Sequence, residues 1–166
     1  MRRIVAPEAA ELVGCLAEHG YHVSTAESCT GGLIASGIVD VSGASAVFEE
    51  GYITYADRIK EKLLGVHPET IAQHTVVSAQ VAEEMASGMA KAAGTELAIS
   101  VTGYAGSDEG ADGTPAGTVY IGVSFLGETV SRHFCFEGDR GQVRMQAVVE
   151  AYAFALQVMK ERMEDR

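Results

Sequence analysis

The sequence predicts an α/β protein, built as a three-layer α/β/α sandwich around a mixed, mostly parallel sheet of about five or six strands. Two observations carry this prediction. Segments with apolar residues at helical spacing alternate with short, bounded segments rich in β-branched residues, which is typical of a sheet covered by helices. Near the C-terminus, two strand-like segments are joined by Leu126-Gly127 alone, so they form a hairpin and at least one strand runs antiparallel.

Helices are predicted where apolar residues recur every three or four positions and a stop residue follows. Asp57 and Ser78 are the expected N-caps of two helices, and Asp139 with Gln142 has the spacing of a capping box. The charged segment 160–166 is expected to fray. The predicted helices cover residues 7–19, 33–39, 57–64, 68–73 and 78–94, together with a last one that begins at 138–139.

Strands are predicted for short β-branched or apolar segments bounded by turn residues. Two of them lead into glycine-containing turns, which is where ligands collect in an open α/β sheet. The predicted strands cover residues 21–26, 46–56, 97–102, 117–125 and 128–136.

Length and charge restrict the class of protein. The 166 residues, of which 47% are hydrophobic, suit one domain spanning residues 1–166. The formal net charge of −11 disfavours nucleic acid as a partner. The apolar runs are too short to cross a membrane, and no apolar segment of the kind a signal peptide requires follows Arg2 and Arg3. We therefore expect a cytoplasmic protein without a membrane or nucleic-acid partner.

The cysteines indicate neither a metal site nor a disulfide framework. Cys15, Cys29 and Cys135 are odd in number and lack the spacing of metal ligands. We expect no metal.

The first candidate site is the predicted turn around Ser28, between a strand and a helix. A helix that begins near Thr30-Gly31-Gly32 offers free backbone N–H groups and the positive end of its dipole to a phosphate or an oxyanion. Gly31 and Gly32 permit close approach of a ligand to the backbone. The alternative is a simple capped turn, since short Gly/Ser motifs have many false positives.

A serine nucleophile needs a base, and Lys60 is the best candidate. It follows the strand that ends in Tyr52-Ile53-Thr54-Tyr55 and lies one turn along the next helix. Burial would lower its pKa, and the Tyr55 hydroxyl would help to hold or relay the proton. The alternative is a solvated surface lysine. The histidines are poorly placed for catalysis and are expected to have structural or surface roles: His19, His22, His67, His74 and His133.

Two further elements complete the candidate site. Thr102 and Gly103 lie where a buried strand opens into a glycine-rich loop, which is otherwise a tight exit turn. Arg140 and Arg144 are four residues apart in the first turns of the last helix and share one face. Arginine is unfavourable at a helix start but suits a phosphate ligand, with a surface salt bridge as the alternative.

These elements together resemble a known family. Residues 26–35, Ala-Glu-Ser-Cys-Thr-Gly-Gly-Leu-Ile-Ala, strongly resemble the signature of the CinA C-terminal family, the nicotinamide-nucleotide amidases. The resemblance extends over about residues 7–160. Further matching segments follow in the same order: Gly43-Ala44-Ser45, Tyr55 with Lys60, Leu63-Leu64-Gly65-Val66, Val77-Ser78, Val101-Thr102-Gly103, Gly117-Thr118-Val119 and Gly138-Asp139-Arg140.

The resemblance implies conversion of nicotinamide mononucleotide to nicotinate mononucleotide and ammonia, without a metal or other cofactor. Ser28 matches the family's nucleophile, Lys60 its base and Tyr55 its assisting tyrosine. A homo-oligomer is also implied. The expected substrate-binding residues, among which either Arg140 or Arg144 would hold the phosphate, are Cys29, Thr30, Gly31, Gly32, Thr102, Gly103, Arg140 and Arg144.

The chain departs from the family pattern beside the expected pocket. The family usually reads Thr-Gly-Ile-Ala-Gly-Pro, whereas this chain has Tyr104 and Ser107, followed by a shorter, acidic loop over residues 108–115. Two alternatives therefore stay open. One is an amidase that acts on another small carboxamide, and the other is a nucleotide-binding or regulatory module without turnover.

Overall fold

The computed structural model describes residues 5–166 and contains one mixed sheet. In space the strands follow the order β2-β1-β3-β4-β5. The first strand pairs in parallel with the second and third, whereas the fourth runs antiparallel to both of its neighbours. The predicted mixed sheet is therefore confirmed, with two of its four strand pairs parallel and two antiparallel. Its strands are β1 (Val23–Glu27), β2 (Phe48–Ile53), β3 (Leu97–Gly103), β4 (Thr118–Phe125) and β5 (Glu128–Cys135).

Helices cover both faces of this sheet, which confirms the three-layer architecture. In the described residues they are α1 (Pro7–His19), α2 (Leu33–Val39), α3 (Asp57–Leu64), α4 (Pro68–His74), α5 (Ala79–Ala93) and α6 (Arg140–Glu164). One apolar core joins α1, α2 and α6 to the sheet, and a second joins α3 and α5 to the opposite face. No helix of the described chain has the length and apolar character needed to span a bilayer.

Small residues on the sheet allow α5 to approach closely. The Ser100 hydroxyl donates a hydrogen bond of 2.6 Å to the carbonyl of Ala82 in α5. A Cβ at Gly122 would lie 2.4 Å from that same oxygen, closer than any van der Waals contact allows. Because α5 packs closely on the sheet, the segment that precedes α5 in the chain lies beside the end of β3.

Several predicted boundaries are wrong by a few residues. The strand predicted for residues 46–56 is shorter, because Ala44–Ala46 forms a 3-10 turn and the backbone leaves the sheet after Ile53. Asp57 is the first residue of α3 rather than its N-cap, which is Ala56, and no side chain caps that helix. Ser78 and the Asp139–Gln142 capping box occupy their predicted places.

The last helix does not fray where its sequence becomes charged, and it continues to Glu164. Lys160 forms an ion pair of 2.5 Å with Glu11 of α1, and Arg162 pairs with Glu128 of β5. The charged last turns of α6 form ion pairs with carboxylates of neighbouring elements, so this part of the chain stays helical.

The contact between α3 and α5 provides a test of the fold. A Cβ at Gly88 would lie 1.8 Å from the Leu64 carbonyl oxygen. Overpacking of this kind costs about 1–3 kcal/mol, more than the roughly 0.5–1 kcal/mol that alanine gains over glycine in a helix. We expect Gly88→Ala to lower the free energy of unfolding, measured by chemical denaturation.

Gly14→Ala is the matched control, because Gly14 lies in α1 and no atom of residues 5–166 lies within 4 Å of the position that a Cβ would occupy there. This change should raise the free energy of unfolding by about 0.5–1 kcal/mol. Equal effects at both positions would contradict the close packing of α3 on α5.

Candidate active site

The candidate site lies beyond the carboxyl ends of three adjacent parallel strands. Glu27 at the end of β1 pairs with Ile53 of β2 on one side and with Val101 of β3 on the other. The residues that follow these positions, Ser28 and Thr54 among them, therefore emerge at the same edge of the sheet. This is the edge at which open α/β sheets bind their ligands.

Ser28 is held by backbone hydrogen bonds that leave its hydroxyl free for chemistry. Its N–H donates to the Val101 carbonyl at 3.1 Å, which extends the pairing of β1 with β3 by one residue. Its carbonyl accepts from the N–H of Gly31 at 3.0 Å, so the chain turns back at once. Gly31 and Gly32 have φ values of 57° and 98°, a left-handed backbone that favours glycine.

The Lys60 amine lies against the Ser28 hydroxyl. The Nζ atom is 3.1 Å from Ser28 Oγ, 2.7 Å from the Thr54 carbonyl oxygen and 3.2 Å from the Tyr55 carbonyl oxygen. The side chain is only 1% exposed, so the alternative of a solvated surface lysine is wrong. Burial lowers the pKa of this amine below its ordinary 10.5, although the nearby Asp57 carboxylate opposes the shift.

The three partners of Nζ can accept from an ammonium, which would donate to all of them, and they also fit the neutral amine that catalysis requires. A neutral lysine has two N–H bonds and one lone pair. The Thr54 and Tyr55 carbonyls accept hydrogen bonds and cannot donate, so they take the two N–H groups. The lone pair then faces Ser28 Oγ, which is the arrangement that a base needs in order to receive the hydroxyl proton.

Tyr55 reaches Lys60 through its backbone and not through its phenol. Its side chain is 68% exposed and lines the cavity in front of Ser28. Among residues 5–166, no hydrogen bond joins the Tyr55 hydroxyl to Lys60 or to Ser28. The predicted proton relay through that hydroxyl has no direct contact here, and the carbonyl supplies the link instead.

The first turn of α2, which begins at Leu33, does not offer the free N–H groups that were predicted for the helix start. The buried Glu27 carboxylate accepts from the N–H of Ile34 at 2.8 Å and from that of Ala35 at 3.0 Å. It also accepts from the Thr30 hydroxyl at 2.7 Å. The helix N-terminus is therefore occupied by a side chain of the protein itself. Sequence reasoning missed Glu27, whose contacts seven and eight residues further on follow no capping-box spacing.

Arg140 and Arg144 have different surroundings despite sharing a helix face. Arg144 donates from Nε to the Cys29 carbonyl at 2.9 Å and from Nη2 to the Thr30 carbonyl at 3.0 Å. Arg140 lines the cavity, and its Nη2 lies 2.8 Å from where a Cβ on Gly106 would stand. It makes no hydrogen bond or ion pair with residues 5–166.

The cavity in front of Ser28 has a volume of about 490 Å³. Seven of the predicted site residues contribute to its wall: Ser28, Cys29, Tyr55, Lys60, Thr102, Gly103 and Arg140. Four other predicted site residues are not among those that line it: Thr30, Gly31, Gly32 and Arg144. Sequence reasoning placed Tyr104, Ser107 and Asp108 beside the expected pocket but named none of the rest of the wall as site residues: Asp57, Val76, Val77, Tyr104, Ala105, Gly106, Ser107, Asp108 and Asp139.

Thr102 and Cys29 contribute to the wall without a free reactive group. The Thr102 hydroxyl donates to the Val76 carbonyl at 2.9 Å, which fixes the segment before α5 against the end of β3. Burial raises the pKa of the Cys29 thiol to about 11, so that thiol is protonated at neutral pH. None of the five histidines, all within the described chain, lines the cavity. Ser28 is therefore the nucleophile candidate with a base beside it.

Comparison with known proteins finds the same family along nearly the whole chain. A family model described as the CinA C-terminal domain matches residues 6–159. The chain is 46% identical over 151 residues to the nicotinamide-nucleotide amidohydrolase PncC of Escherichia coli K12, covering 90% of this chain and 89% of that protein. It is 45% identical over 147 residues to the PncC protein of Enterobacter agglomerans, covering 88% and 90% of the two chains.

Solved structures agree with this assignment. A competence or damage-inducible protein from Enterobacter asburiae superposes with a TM-score of 0.91 at 35% identity, over 94% of this chain and 98% of that one. A CinA superfamily protein from Klebsiella pneumoniae superposes with a TM-score of 0.89 at 36% identity, over 92% and 96% of the two chains.

Proposed function

The chain belongs to the CinA C-terminal domain family, and we propose that it is a nicotinamide-nucleotide amidohydrolase that uses Ser28 as its nucleophile and Lys60 as its base. It converts nicotinamide mononucleotide and water to nicotinate mononucleotide and ammonia. The single observation that carries the proposal is the buried Lys60 amine 3.1 Å from Ser28 Oγ. The names of the PncC relatives support the substrate.

The reaction begins with transfer of the Ser28 proton to neutral Lys60. Ser28 Oγ attacks the carboxamide carbon and forms a tetrahedral intermediate with a negatively charged oxygen. Within residues 5–166, no backbone hydrogen bond of the turn uses the N–H of Cys29 or Thr30. The N–H of Gly32 is likewise unused, and we assign the oxyanion to those of Cys29 and Thr30, which follow Ser28 directly, in place of the occupied N–H groups of α2.

The intermediate collapses when protonated Lys60 gives its proton to the leaving nitrogen. The C–N bond breaks, ammonia departs and an ester joins the substrate acyl group to Ser28. Neutral Lys60 then takes a proton from water, and the resulting hydroxide attacks the ester. Collapse of this second intermediate releases the carboxylic acid, and the proton returns to Ser28 Oγ.

The charges of the cavity wall suit a nucleotide whose ring is positive and whose phosphate is negative. Asp57, Asp108 and Asp139 supply carboxylates, and Arg140 supplies a cation without a partner among the described residues. Its planar fork matches a phosphate. We therefore assign the 5′-phosphate to Arg140 rather than to Arg144, whose N–H groups already bind two carbonyls.

Arg140→Ala should raise KM for nicotinamide mononucleotide by about tenfold or more, the effect of losing charge-assisted hydrogen bonds. Nicotinamide riboside lacks the phosphate, so its weaker turnover should change little. Arg58→Ala is the charge-matched control, since Arg58 is exposed on α3 and lies outside the cavity wall. Steady-state kinetics with both substrates checks the assignment, and an equal effect on the riboside would contradict it.

The substrate is tested by comparing three carboxamides, because Tyr104 and Ser107 line the cavity where the chain departs from its family pattern. Ammonia release should have its largest kcat/KM with nicotinamide mononucleotide, followed by nicotinamide riboside and then nicotinamide. A larger kcat/KM with another carboxamide would support the amidase reaction but contradict nicotinamide mononucleotide as the substrate. Binding of the nucleotide without turnover would favour the regulatory module, although such a module needs no base beside Ser28.

We extend the proposal to the surroundings of the enzyme. Residues 1–166 would act as one catalytic domain in the cytoplasm and would assemble as a homo-oligomer. Size-exclusion chromatography with light scattering measures the number of subunits directly, and a strictly monomeric protein would contradict that part of the proposal.

A further inference from the structure

Two charged side chains hold the turn that carries Ser28 from its two sides. We propose that Glu27 and Arg144 are positioning residues, which together fix the peptide groups between Ser28 and α2 in the geometry that catalysis needs. The inference rests on the proposed function, because it concerns the same nucleophile. It gives Arg144 a role other than contact with the substrate, and it gives Glu27 a role that no sequence pattern indicated.

Glu27 holds the side of the turn that faces α2. Its carboxylate is 1% exposed and accepts three hydrogen bonds, from the Thr30 hydroxyl and from the N–H groups of Ile34 and Ala35. A buried carboxylate is stable only when its oxygens are satisfied, and the positive end of a helix favours it further. The start of α2 is thus tied to the last residue of β1.

Arg144 holds the opposite side of the turn. Its guanidinium spans the carbonyls of Cys29 and Thr30 with two hydrogen bonds, from a helix more than a hundred residues further along the chain. A Cβ on Gly31 would lie 3.3 Å from Arg144 Nη2, so the glycine leaves room for the guanidinium. Arginine suits this place because its rigid fork binds two acceptors at once.

The two side chains act on the same residue. Thr30 is fully buried, and its hydroxyl binds Glu27 while its carbonyl binds Arg144. In a trans peptide the C=O and the N–H point in opposite directions. Because Arg144 holds the Cys29 carbonyl, the N–H of Thr30 points away from the guanidinium. Glu27 and Arg144 therefore set the direction of the Thr30 N–H, which we assign to the oxyanion, together with the position of Ser28.

The test distinguishes a positioning role of Arg144 from binding of the phosphate and from an effect on protein stability alone. Arg144→Ala should lower kcat for nicotinamide mononucleotide by about a hundredfold, the scale of a small misplacement of reacting groups, with KM changed by less than about threefold. Arg144→Lys keeps the charge but loses the fork, so its kcat should lie between those of wild type and Arg144→Ala. Glu27→Gln should also lower kcat without raising KM.

Three measurements decide the outcome. Thermal unfolding and circular dichroism give the folded fraction, to which every kcat is referred. The double variant Glu27→Gln/Arg144→Ala should lose little more than the worse single variant, because both changes release the same turn. A wild-type kcat in folded Arg144→Ala would overturn the proposal. So would a rise in KM for the mononucleotide that nicotinamide riboside does not share, since that pattern marks a phosphate ligand.

Failure of this inference is distinguishable from failure of the proposed function. If wild-type protein releases ammonia and Ser28→Ala does not, the amidase stands whatever Arg144→Ala shows. Arg140→Ala serves as the contrasting variant, since its expected change is in KM whereas that of Arg144→Ala is in kcat.

Discussion

Ser28→Ala should lower ammonia release from nicotinamide mononucleotide by about 10⁶-fold, the scale seen when the nucleophile of a serine hydrolase is removed. Without Oγ no acyl-enzyme forms, and among the described residues of the cavity wall no other nucleophile has a base beside it. The neighbouring Cys29 thiol is protonated at neutral pH, because burial raises its pKa to about 11. The measurement is an enzyme-coupled ammonia assay on the purified variant.

The fold of Ser28→Ala should be intact, since the backbone hydrogen bonds of Ser28 do not use its side chain. Ser45→Ala is the matched control, because Ser45 is exposed and does not contribute to the cavity wall. It should retain wild-type turnover. Ammonia release by Ser28→Ala at an undiminished rate would remove Ser28 as the nucleophile.

Lys60→Met should lower kcat by about 10²- to 10⁴-fold, the usual contribution of a general base. Methionine keeps an apolar chain of similar length but cannot take the Ser28 proton. Lys60→Arg should be impaired to a similar degree, because a guanidinium keeps the charge and does not deprotonate. Substantial activity of the arginine variant would show that Lys60 acts by its charge and not as a base.

The role of Lys60 as the base also predicts how the reaction rate depends on pH. Only the neutral amine accepts the Ser28 proton, and its fraction rises with pH until the pKa of Lys60 in the folded protein is passed. Burial lowers that pKa below the ordinary 10.5. The rate should therefore be low at low pH, rise with pH with a midpoint below 10.5, and level off above that midpoint. A rate independent of pH would contradict the assignment.

Local signals predicted most of the fold. The predicted stop residues of three helices are glycines, Gly20, Gly65 and Gly94, which adopt the left-handed backbone there with φ between 66° and 70°. The N-cap at Ser78 is equally local. The end of α6 could not be predicted in this way, because its stability depends on carboxylates supplied by distant elements.

The proximity of Ser28 and Lys60 could be predicted from the sequence, whereas the contacts of the residues around them could not. Ser28 and Lys60 each follow the end of a parallel strand, so the topology alone brings them to one edge of the sheet. The different roles of Arg140 and Arg144 depend on how α6 packs against the turn after β1, which no spacing encodes. Glu27 was missed for the same reason, since its partners are fixed only when α2 docks.

The most direct test of the account is the reaction of purified wild-type protein with nicotinamide mononucleotide, following both products together. The account predicts that ammonia and nicotinate mononucleotide appear in equal amounts and that the rate scales with the amount of protein. A folded protein that releases no ammonia at millimolar substrate would contradict it, as would loss of nucleotide without the carboxylate product.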